Sequence, residues 1–330
     1  MKGYLRAAFA AGMMSVAMAS AAAAQEFTMK LAHHYPDVHI QAAGIRTFVS
    51  EIEKNSEGRI KVLVYPAETL ITGREALEAV EGGVVDVATM STNYQTGNIP
   101  QLEYYTYPFM FDSAQHFRRA MQGGIKDMLD VEYAKYNIKL LNFYHKGALH
   151  IMHKGVFFER PEDFSGQRLR SLGGTISQLL SSMGANPLSV ALGEVDAAIE
   201  RNVIDGITTN CAAHISRGWS EHLKYVTFAD MSQGGEGMGM NADFFASLPE
   251  DLQKVVVDAA AKMEDQEWSD MIEDDEVSCM KKWEDAGVKV HVLTPEQRGE
   301  FQRQMEPIFA EALKARPDLQ PYVEIASKTR

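Results

Sequence analysis

The residues with the greatest chemical potential lie where predicted strands end or just after a predicted helix. They are His34 and Tyr35, Ser91 and Tyr94, Arg170, and Thr209 and Asn210. In open parallel α/β sheets, ligands bind beyond the carboxyl ends of the strands. The sequence therefore predicts a binding site built from these positions.

Arg170 is the leading candidate among them. A guanidinium inside a predicted strand needs a partner, because an unpaired buried charge is unfavourable. Its planar fork matches a carboxylate with two parallel hydrogen bonds. From the residues alone, that partner is either a ligand carboxylate or an acidic side chain of the protein itself.

The signatures of common enzyme classes are missing from the sequence. There is no G-x-S-x-G elbow, no H-E-x-x-H helix and no G-x-x-x-x-G-K-[ST] loop.

The glycines of SQGGEGMGMN, from Gly235 to Gly239, do not open a helix as a dinucleotide fingerprint does, so they predict a flexible or closely packed crossing strand. The acidic run 273–276 predicts a solvated helix face, because consecutive helical residues point in different directions. We expect no catalytic residues, no cofactor and no metal site.

Strands and helices alternate along the first half of the chain. FTMKLAHHY predicts a strand, and a helix follows with Ile40, Phe48 and Ile52 on one face. RIKVLVYP, a helix at 74–80 and the apolar VVDVATM come next. This order indicates β-α-β units and a mostly parallel sheet flanked by helices.

The same order restarts after the middle of the chain. IKLLNFYHKGALHIMH predicts a long strand pair, GQRLRSL and ANPLSV predict strands, and TISQLLSSMG and 193–206 predict helices, with Gly206 as the cap of the second. Residues 248–287 are helical almost throughout, so we expect a kink or a passage across two lobes. VKVHVL and a helix from Pro295 complete a second α/β lobe.

Length and composition also fit two lobes. Roughly 300 residues beyond the first 24 exceed what one core usually holds. The net charge of -13 disfavours nucleic acid as a partner, but it does not disfavour an anionic ligand, since one buried arginine can dominate a pocket.

Cys211 and Cys279 are the only cysteines of the sequence. In an oxidising compartment they either pair or stay apart, depending on strict geometric limits.

The first 24 residues have the pattern of a secretory signal peptide. Lys2 and Arg6 precede a small and apolar run that ends in four alanines before Gln25. An uncleaved anchor is the alternative, but the run is shorter than the roughly 20 apolar residues of a membrane span. We predict export to the periplasm as a soluble mature chain.

Several segments together resemble the substrate-binding proteins of tripartite ATP-independent periplasmic (TRAP) transporters, the dicarboxylate-binding-protein-like family. The similar motifs cover essentially the whole mature chain and lie at 59–66, 72–75, 106–111, 166–171, 184–187, 193–199, 205–210 and 248–256. The resemblance implies a two-lobed periplasmic binding protein fold, in which crossing strands and a long connecting helix let the lobes close on a ligand. We expect lobe 1 at 25–148 plus about 231–275, and lobe 2 at 149–230 plus about 276–330. It also implies small and large TRAP permease subunits as membrane partners.

The resemblance assigns Arg170 to the family arginine that pairs with a substrate carboxylate. Many relatives have a second pocket arginine where this chain has Leu149, with His150 beside it as a candidate ligand contact. The loss of a second fixed cation argues against a dicarboxylate, since an unpaired buried carboxylate is unfavourable. We therefore expect Arg170 to be the single fixed cation, and the ligand to be a monocarboxylate, aromatic or hydroxylated.

Other departures leave the ligand class open. The family asparagine falls on Thr209, with Asn210 one position later, Leu192 takes an aromatic position, and Ser91 takes a position that is acidic in some relatives. Candidate aromatic contacts to the ligand are Tyr94, Tyr104, Tyr105 and Trp219, of which Trp219 is equally a core candidate. A sulfonate or a dicarboxylate is the alternative ligand, and a periplasmic enzyme or sensor-partner domain is the alternative function.

Overall fold

The computed structural model of the chain describes residues 25–171, 174–190, 194–273 and 278–330, and the predicted signal peptide lies outside them. The strands assigned there are β1 (Phe27–Ala32), β2 (Ile60–Tyr65), β3 (Val87–Ser91), β4 (Ile138–Ala148), β5 (His150–His153), β6 (Arg168–Ser171), β7 (Asn186–Ser189), β8 (Gly206–Thr209), β9 (Tyr225–Phe228), β10 (Gln233–Asn241) and β11 (Lys289–Val292). The helices are α1 (Ile40–Asn55), α2 (Ala76–Glu81), α3 (Thr92–Gln95), α4 (Ala114–Ala120), α5 (Lys126–Ala134), α6 (Gly174–Ser182), α7 (Val195–Glu200), α8 (Cys211–Ser216), α9 (Ala242–Ser247), α10 (Glu250–Glu273), α11 (Cys279–Asp285), α12 (Pro295–Ala315) and α13 (Gln320–Lys328).

The strands form two mixed sheets, one in each lobe. The lobe 1 sheet has the order β2-β1-β3-β10-β4, and the lobe 2 sheet has the order β11-β9-β5-β8-β6-β7. In the first sheet β10 runs antiparallel to both of its neighbours, and in the second β5 does so. The other strand pairs are parallel. The predicted two-lobed α/β fold is confirmed.

Two chain segments cross between the sheets side by side. β4 continues through Leu149 directly into β5, and β9 leads through Met231 and Ser232 into β10. The amide of Leu149 donates to the Ser232 carbonyl, and the amide of Met231 donates to the Leu149 carbonyl, both at 2.9 Å. The segment predicted as a strand pair is thus two strands of different sheets, because each finds its partners in segments distant in sequence.

The glycine-rich segment is the fully buried strand β10. A side chain at Gly235 would lie 2.5 Å from the ring of Phe143, and one at Gly239 would lie 2.7 Å from Ile138. Glycine is therefore required by close packing against β4. The prediction of a closely packed crossing strand is confirmed.

The long predicted helical run consists of two helices in different lobes. α10 packs against α1 and β4 of lobe 1, and its Trp268 indole donates to the Phe143 carbonyl at 3.1 Å. α11 packs against β11 and α8 of lobe 2. Residues 274–277, which carry most of the predicted acidic face, lie outside the described residues. None of the helices in the described ranges is long and apolar enough to cross a bilayer.

The end of the chain returns to lobe 1. The sequence predicts residues 276–330 in lobe 2, and α12 does pack against α6 there. α13 instead packs against α4 of lobe 1, where Tyr322 stacks on Tyr104 with ring centroids 4.9 Å apart. The imidazole of His116 bonds the Ala326 carbonyl at 2.7 Å. Apolar and hydrogen-bonding contacts therefore hold the carboxyl terminus on lobe 1.

Two local features of lobe 2 resolve earlier expectations. The predicted helical cap at Gly206 is wrong, because α7 ends at Glu200 and Gly206 begins β8. A side chain at Gly206 would collide with the Met152 carbonyl on β5, so close strand approach explains this glycine. Cys211 and Cys279 form a disulfide between α8 and α11, with Cα atoms 6.1 Å apart.

Candidate ligand-binding cavity

A cavity of about 100 Å³ lies between the two lobes, beside the crossing segments. It brings together six of the residues predicted from the sequence: His34, Tyr35, Tyr94, Arg170, Thr209 and Asn210. Nowhere in the described ranges do three His, Cys, Asp or Glu side chains converge as metal ligands do. The cavity is thus a site lined by polar and aromatic groups from both lobes.

Arg170 contributes a buried guanidinium from the end of β6. Its side chain is only 4% exposed, and its Nε donates to the Val190 carbonyl at 3.2 Å. Across the part of the chain that the structure describes, no acidic side chain forms an ion pair with it. Burial lowers the pKa of Arg170 to about 10, with a further lowering by the charge of Arg217, while Tyr94 acts in the opposite direction. A partly desolvated cation without a protein anion favours an anionic ligand.

Arg217, just after α8, is a second guanidinium at the cavity. It is half-buried, and it lies over the Trp219 ring at 5.7 Å from the centroid. Like Arg170, it has no ion-pair partner within the described ranges. The expectation of a single fixed cation is therefore wrong: Leu149 does line the cavity, but Arg217 and Lys146 line it too.

Lys146 differs from the two arginines because the protein already balances its charge. Its Nζ donates to the Ser91 hydroxyl at 2.7 Å and lies 3.4 Å from the carboxylate of Glu236 on β10. Burial opposes ionisation of Glu236, but the nearby His34 and Lys146 together lower its pKa. Ser91 is buried behind Lys146 and does not line the cavity.

The lobe 1 side of the cavity carries three neighbouring rings, of which Tyr35 and His39 are stacked. The ring of Tyr35 lies 4.1 Å from that of His34 and 4.6 Å from that of His39, centroid to centroid. Burial lowers the pKa of both histidines, and that of His39 falls to about 4. The His39 imidazole is therefore neutral at pH 7. Tyr94 adds a further ring, with the guanidinium of Arg74 at 4.8 Å from its centroid.

Thr209 and Asn210 approach the cavity at the junction of β8 and α8. The Asn210 side chain accepts from the Ala213 amide at 2.8 Å, which caps α8, and donates to the Lys146 carbonyl at 2.6 Å. Gly147 has a φ of 104°, and a side chain there would lie 2.8 Å from the Cβ of Asn210. The Asn210 amide is thus occupied by contacts that join α8 to the crossing segment.

Besides Ser91, three further predicted site residues lie away from the cavity. His150 is buried inside lobe 2, where its ring stacks on Phe228 at 4.1 Å and burial lowers its pKa to about 3. Trp219 is a core residue whose indole donates to Asp196 at 2.7 Å. Tyr104 packs in the lobe 1 core. The side chain of Tyr105, and Leu192, lie outside the described part of the chain.

Sequence reasoning missed several cavity residues. They are Gln41, His39, Lys146 and Arg217. For His39 and Gln41 a signal existed, because they begin a predicted helix directly after the predicted first strand. Lys146 and Arg217 gave no such signal. Lys146 is one polar residue in a predicted strand, and Arg217 lies in a stretch after Asn210 for which the sequence predicts no helix or strand.

The chain is similar to solute-binding proteins along most of its length. It is 25% identical over 293 residues to a solute-binding protein of Chromohalobacter salexigens, covering 88% of this chain and 85% of that relative. It is 24% identical over 301 residues to the C4-dicarboxylate-binding periplasmic protein DctP of Rhodobacter capsulatus, covering 90% of each. A crystal structure of a TRAP periplasmic solute-binding protein from C. salexigens with bound D-glucuronate superposes with a TM-score of 0.84 at 23% identity, covering 92% of this chain and 100% of that one.

The family match is equally extensive. The model of the bacterial extracellular solute-binding protein family 7, DctP, matches residues 31–315. That span contains both sheets and every cavity residue described above. The chain therefore belongs to the bacterial extracellular solute-binding protein family 7, the solute receptors of TRAP transporters, which are not enzymes.

Proposed function

We propose that this chain is a periplasmic receptor that captures a small organic monocarboxylate, aromatic or hydroxylated, and delivers it to the small and large membrane subunits of a TRAP transporter. Arg170 binds the ligand carboxylate. The export pattern of residues 1–24 supports the periplasmic location. The family supports the delivery step.

The observation that carries this proposal is the pair of guanidinium groups in lobe 2. Arg170 and Arg217 both line the cavity, and neither forms an ion pair with an acidic side chain of the described residues. Two like charges beside each other are unfavourable until an anion joins them. A carboxylate with two oxygens matches a guanidinium fork bidentately.

The lobe 1 side supports one carboxylate rather than two. The charge of Lys146 is balanced by the buried carboxylate of Glu236, and His39 is neutral at pH 7. A second ligand carboxylate at that end would face Lys146, whose charge is already balanced by Glu236, rather than a free cation. A buried carboxylate without a free cationic partner is strongly unfavourable.

The relatives bind acids of both kinds. The C. salexigens structure contains D-glucuronate, which has one carboxylate, whereas the R. capsulatus relative is named for C4-dicarboxylates. Both support an acid as ligand for this chain. The choice of a monocarboxylate rests on the charges at the cavity. A sulfonate, which also presents several oxygens to a guanidinium, is the competing ligand.

A thermal-shift panel of monocarboxylates, dicarboxylates and sulfonates tests the proposal. A ligand that binds only the folded protein raises its melting temperature. We expect stabilisation by one or more monocarboxylates without turnover. A clear preference for dicarboxylates or sulfonates, or no response to any acid, would contradict the proposal.

Arg170→Ala is the matching variant. We expect loss of the thermal shift and a decrease in affinity of at least about 100-fold, because the ligand charge would be left buried and unpaired. Arg168→Ala is the control, since Arg168 lies on the same strand but is exposed and paired with Asp205. Near-normal affinity in Arg170→Ala, measured by calorimetry, would refute the assignment.

A further inference from the structure

Gln41 is a buried polar residue of the cavity that no role above explains. It lies in the first turn of α1, it is one of the residues that line the cavity, and it is only 1% exposed. Neither its amide oxygen nor its amide nitrogen has a hydrogen-bond partner among the described residues. Buried amides are normally paired, because a group that loses water without gaining a partner destabilises the protein.

The surrounding residues are already committed to other contacts. The imidazole of His39 accepts the backbone amide of Gln41 at 3.4 Å, and its ring stacks against Tyr35. These contacts fix the start of α1 and leave the side-chain amide of Gln41 free. The missing partner must therefore come from whatever fills the cavity.

The chemistry of the amide restricts that partner. A glutamine side chain presents two donor hydrogens and one acceptor oxygen. A hydroxyl group can satisfy both kinds of atom, a carboxylate can only accept, and an aromatic or aliphatic carbon can do neither. The charges at this end of the cavity also favour an uncharged partner, because His39 is neutral at pH 7 and the charge of Lys146 is balanced by Glu236. The lobe 1 end of the cavity thus favours an uncharged group that donates and accepts.

We propose that Gln41 is a specificity-determining residue that binds a hydroxyl of the ligand, so that the preferred ligands are hydroxylated monocarboxylates rather than aromatic or plain aliphatic acids. This inference rests on the proposed function, in which Arg170 holds the carboxylate from lobe 2. Gln41, in lobe 1, contacts the other end of the same ligand molecule.

Matched pairs of acids test this inference by calorimetry. Suitable pairs are 4-hydroxybutyrate with butyrate and D-gluconate with hexanoate. We expect the wild-type protein to bind the hydroxylated member of at least one pair roughly 10- to 100-fold more tightly, since a buried amide left unpaired loses that much affinity. In Gln41→Leu, we expect the affinity for the hydroxylated acid to fall to within about twofold of its partner, with the unhydroxylated acid unaffected.

Control variants separate this role from effects on folding. Gln95→Leu removes another buried glutamine, one that lies outside the cavity and donates to the Gly73 carbonyl at 3.4 Å, and it should keep the full preference. If Gln41→Leu does not fold, Gln41→Asn shortens the side chain by one methylene and should still reduce the preference.

The outcomes also distinguish the two proposals. Loss of all acid binding in Arg170→Ala, together with loss of only the preference in Gln41→Leu, supports both. Equal wild-type affinity for the members of every pair, or an unchanged preference in Gln41→Leu, would overturn the inference about Gln41 while leaving the carboxylate site intact. If the Gln41 amide contributed only to the stability of the folded protein, the preference for hydroxylated acids would be unchanged in Gln41→Leu.

Discussion

Glu267 on α10 is an acidic residue in the interior of lobe 1. It is almost fully buried, and a side chain on Gly44 of the neighbouring α1 would collide with its carboxyl group. Burial, reinforced by the charge of Glu236, raises the pKa of Glu267 to about 9. The carboxyl group is therefore protonated at pH 7, where the same residue in the unfolded chain is ionised.

This difference makes the stability of the protein depend on pH. The folded state retains the proton of Glu267 that the unfolded state loses. The contribution of this group to the free energy of unfolding is therefore complete below about pH 4.5 and is lost progressively as the pH rises towards 9. Glu267→Gln, which stays neutral, should remove this loss. We expect the variant to gain roughly 4 kcal/mol relative to the wild-type protein between pH 5 and pH 8.

Urea unfolding across this pH range measures the difference. Asp265→Asn is the control, because Asp265 is exposed on the same helix and pairs with Arg118. Its pH dependence should follow that of the wild-type protein. Identical pH slopes for Glu267→Gln and the wild-type protein would show that Glu267 ionises normally.

The short helix α8 connects the cavity to the rest of lobe 2. Asn210 caps its first turn and bonds the crossing segment, Cys211 ties it to α11, and Arg217 follows its last turn. A helix of only six residues has little stability of its own. The position of Arg217 therefore depends on the cap and the disulfide.

Removal of the disulfide should lower the stability of the protein. The bond closes a loop of 68 residues, so its loss is expected to decrease the free energy of unfolding by about 2–4 kcal/mol. The melting temperature should fall by about 3–6 °C. Cys211→Ala combined with Cys279→Ala should match the reduced wild-type protein in calorimetry. The prediction fails if oxidised and reduced protein melt at the same temperature.

The elements that the sequence predicts well are those whose signals are local. β1, β2 and β6 were recognisable from their apolar patterns, and Arg170 from its place at the end of β6. The separation of β4 from β5 was not, because their partners β8 and β10 lie far along the chain. Arg217 was missed for the same reason, because the cavity that it lines is formed only when distant elements meet.

The cavity lies between two lobes that are joined by the crossing segments. Arg170 and Arg217 belong to lobe 2, and Gln41 belongs to lobe 1. A ligand that contacts both sides binds the closed arrangement better than an open one, and so shifts the population towards closure.

Small-angle X-ray scattering tests this closure. For about 300 residues the expected radius of gyration is roughly 19 Å. We expect it to decrease by a few per cent when a stabilising acid is added, and to stay constant for Arg170→Ala under the same conditions. An unchanged radius in the wild-type protein at saturating ligand would contradict a hinged clamp.

The return of α13 to lobe 1 has a practical consequence for the design of biosensors. β1, near the start of the described chain, also belongs to lobe 1, so both ends of the described chain move with the same lobe. Fluorescent proteins fused to the two termini would keep their separation when the lobes close, and would report nothing. One fluorophore has to be attached to lobe 2, for example at Val203, which is 47% exposed between α7 and β8.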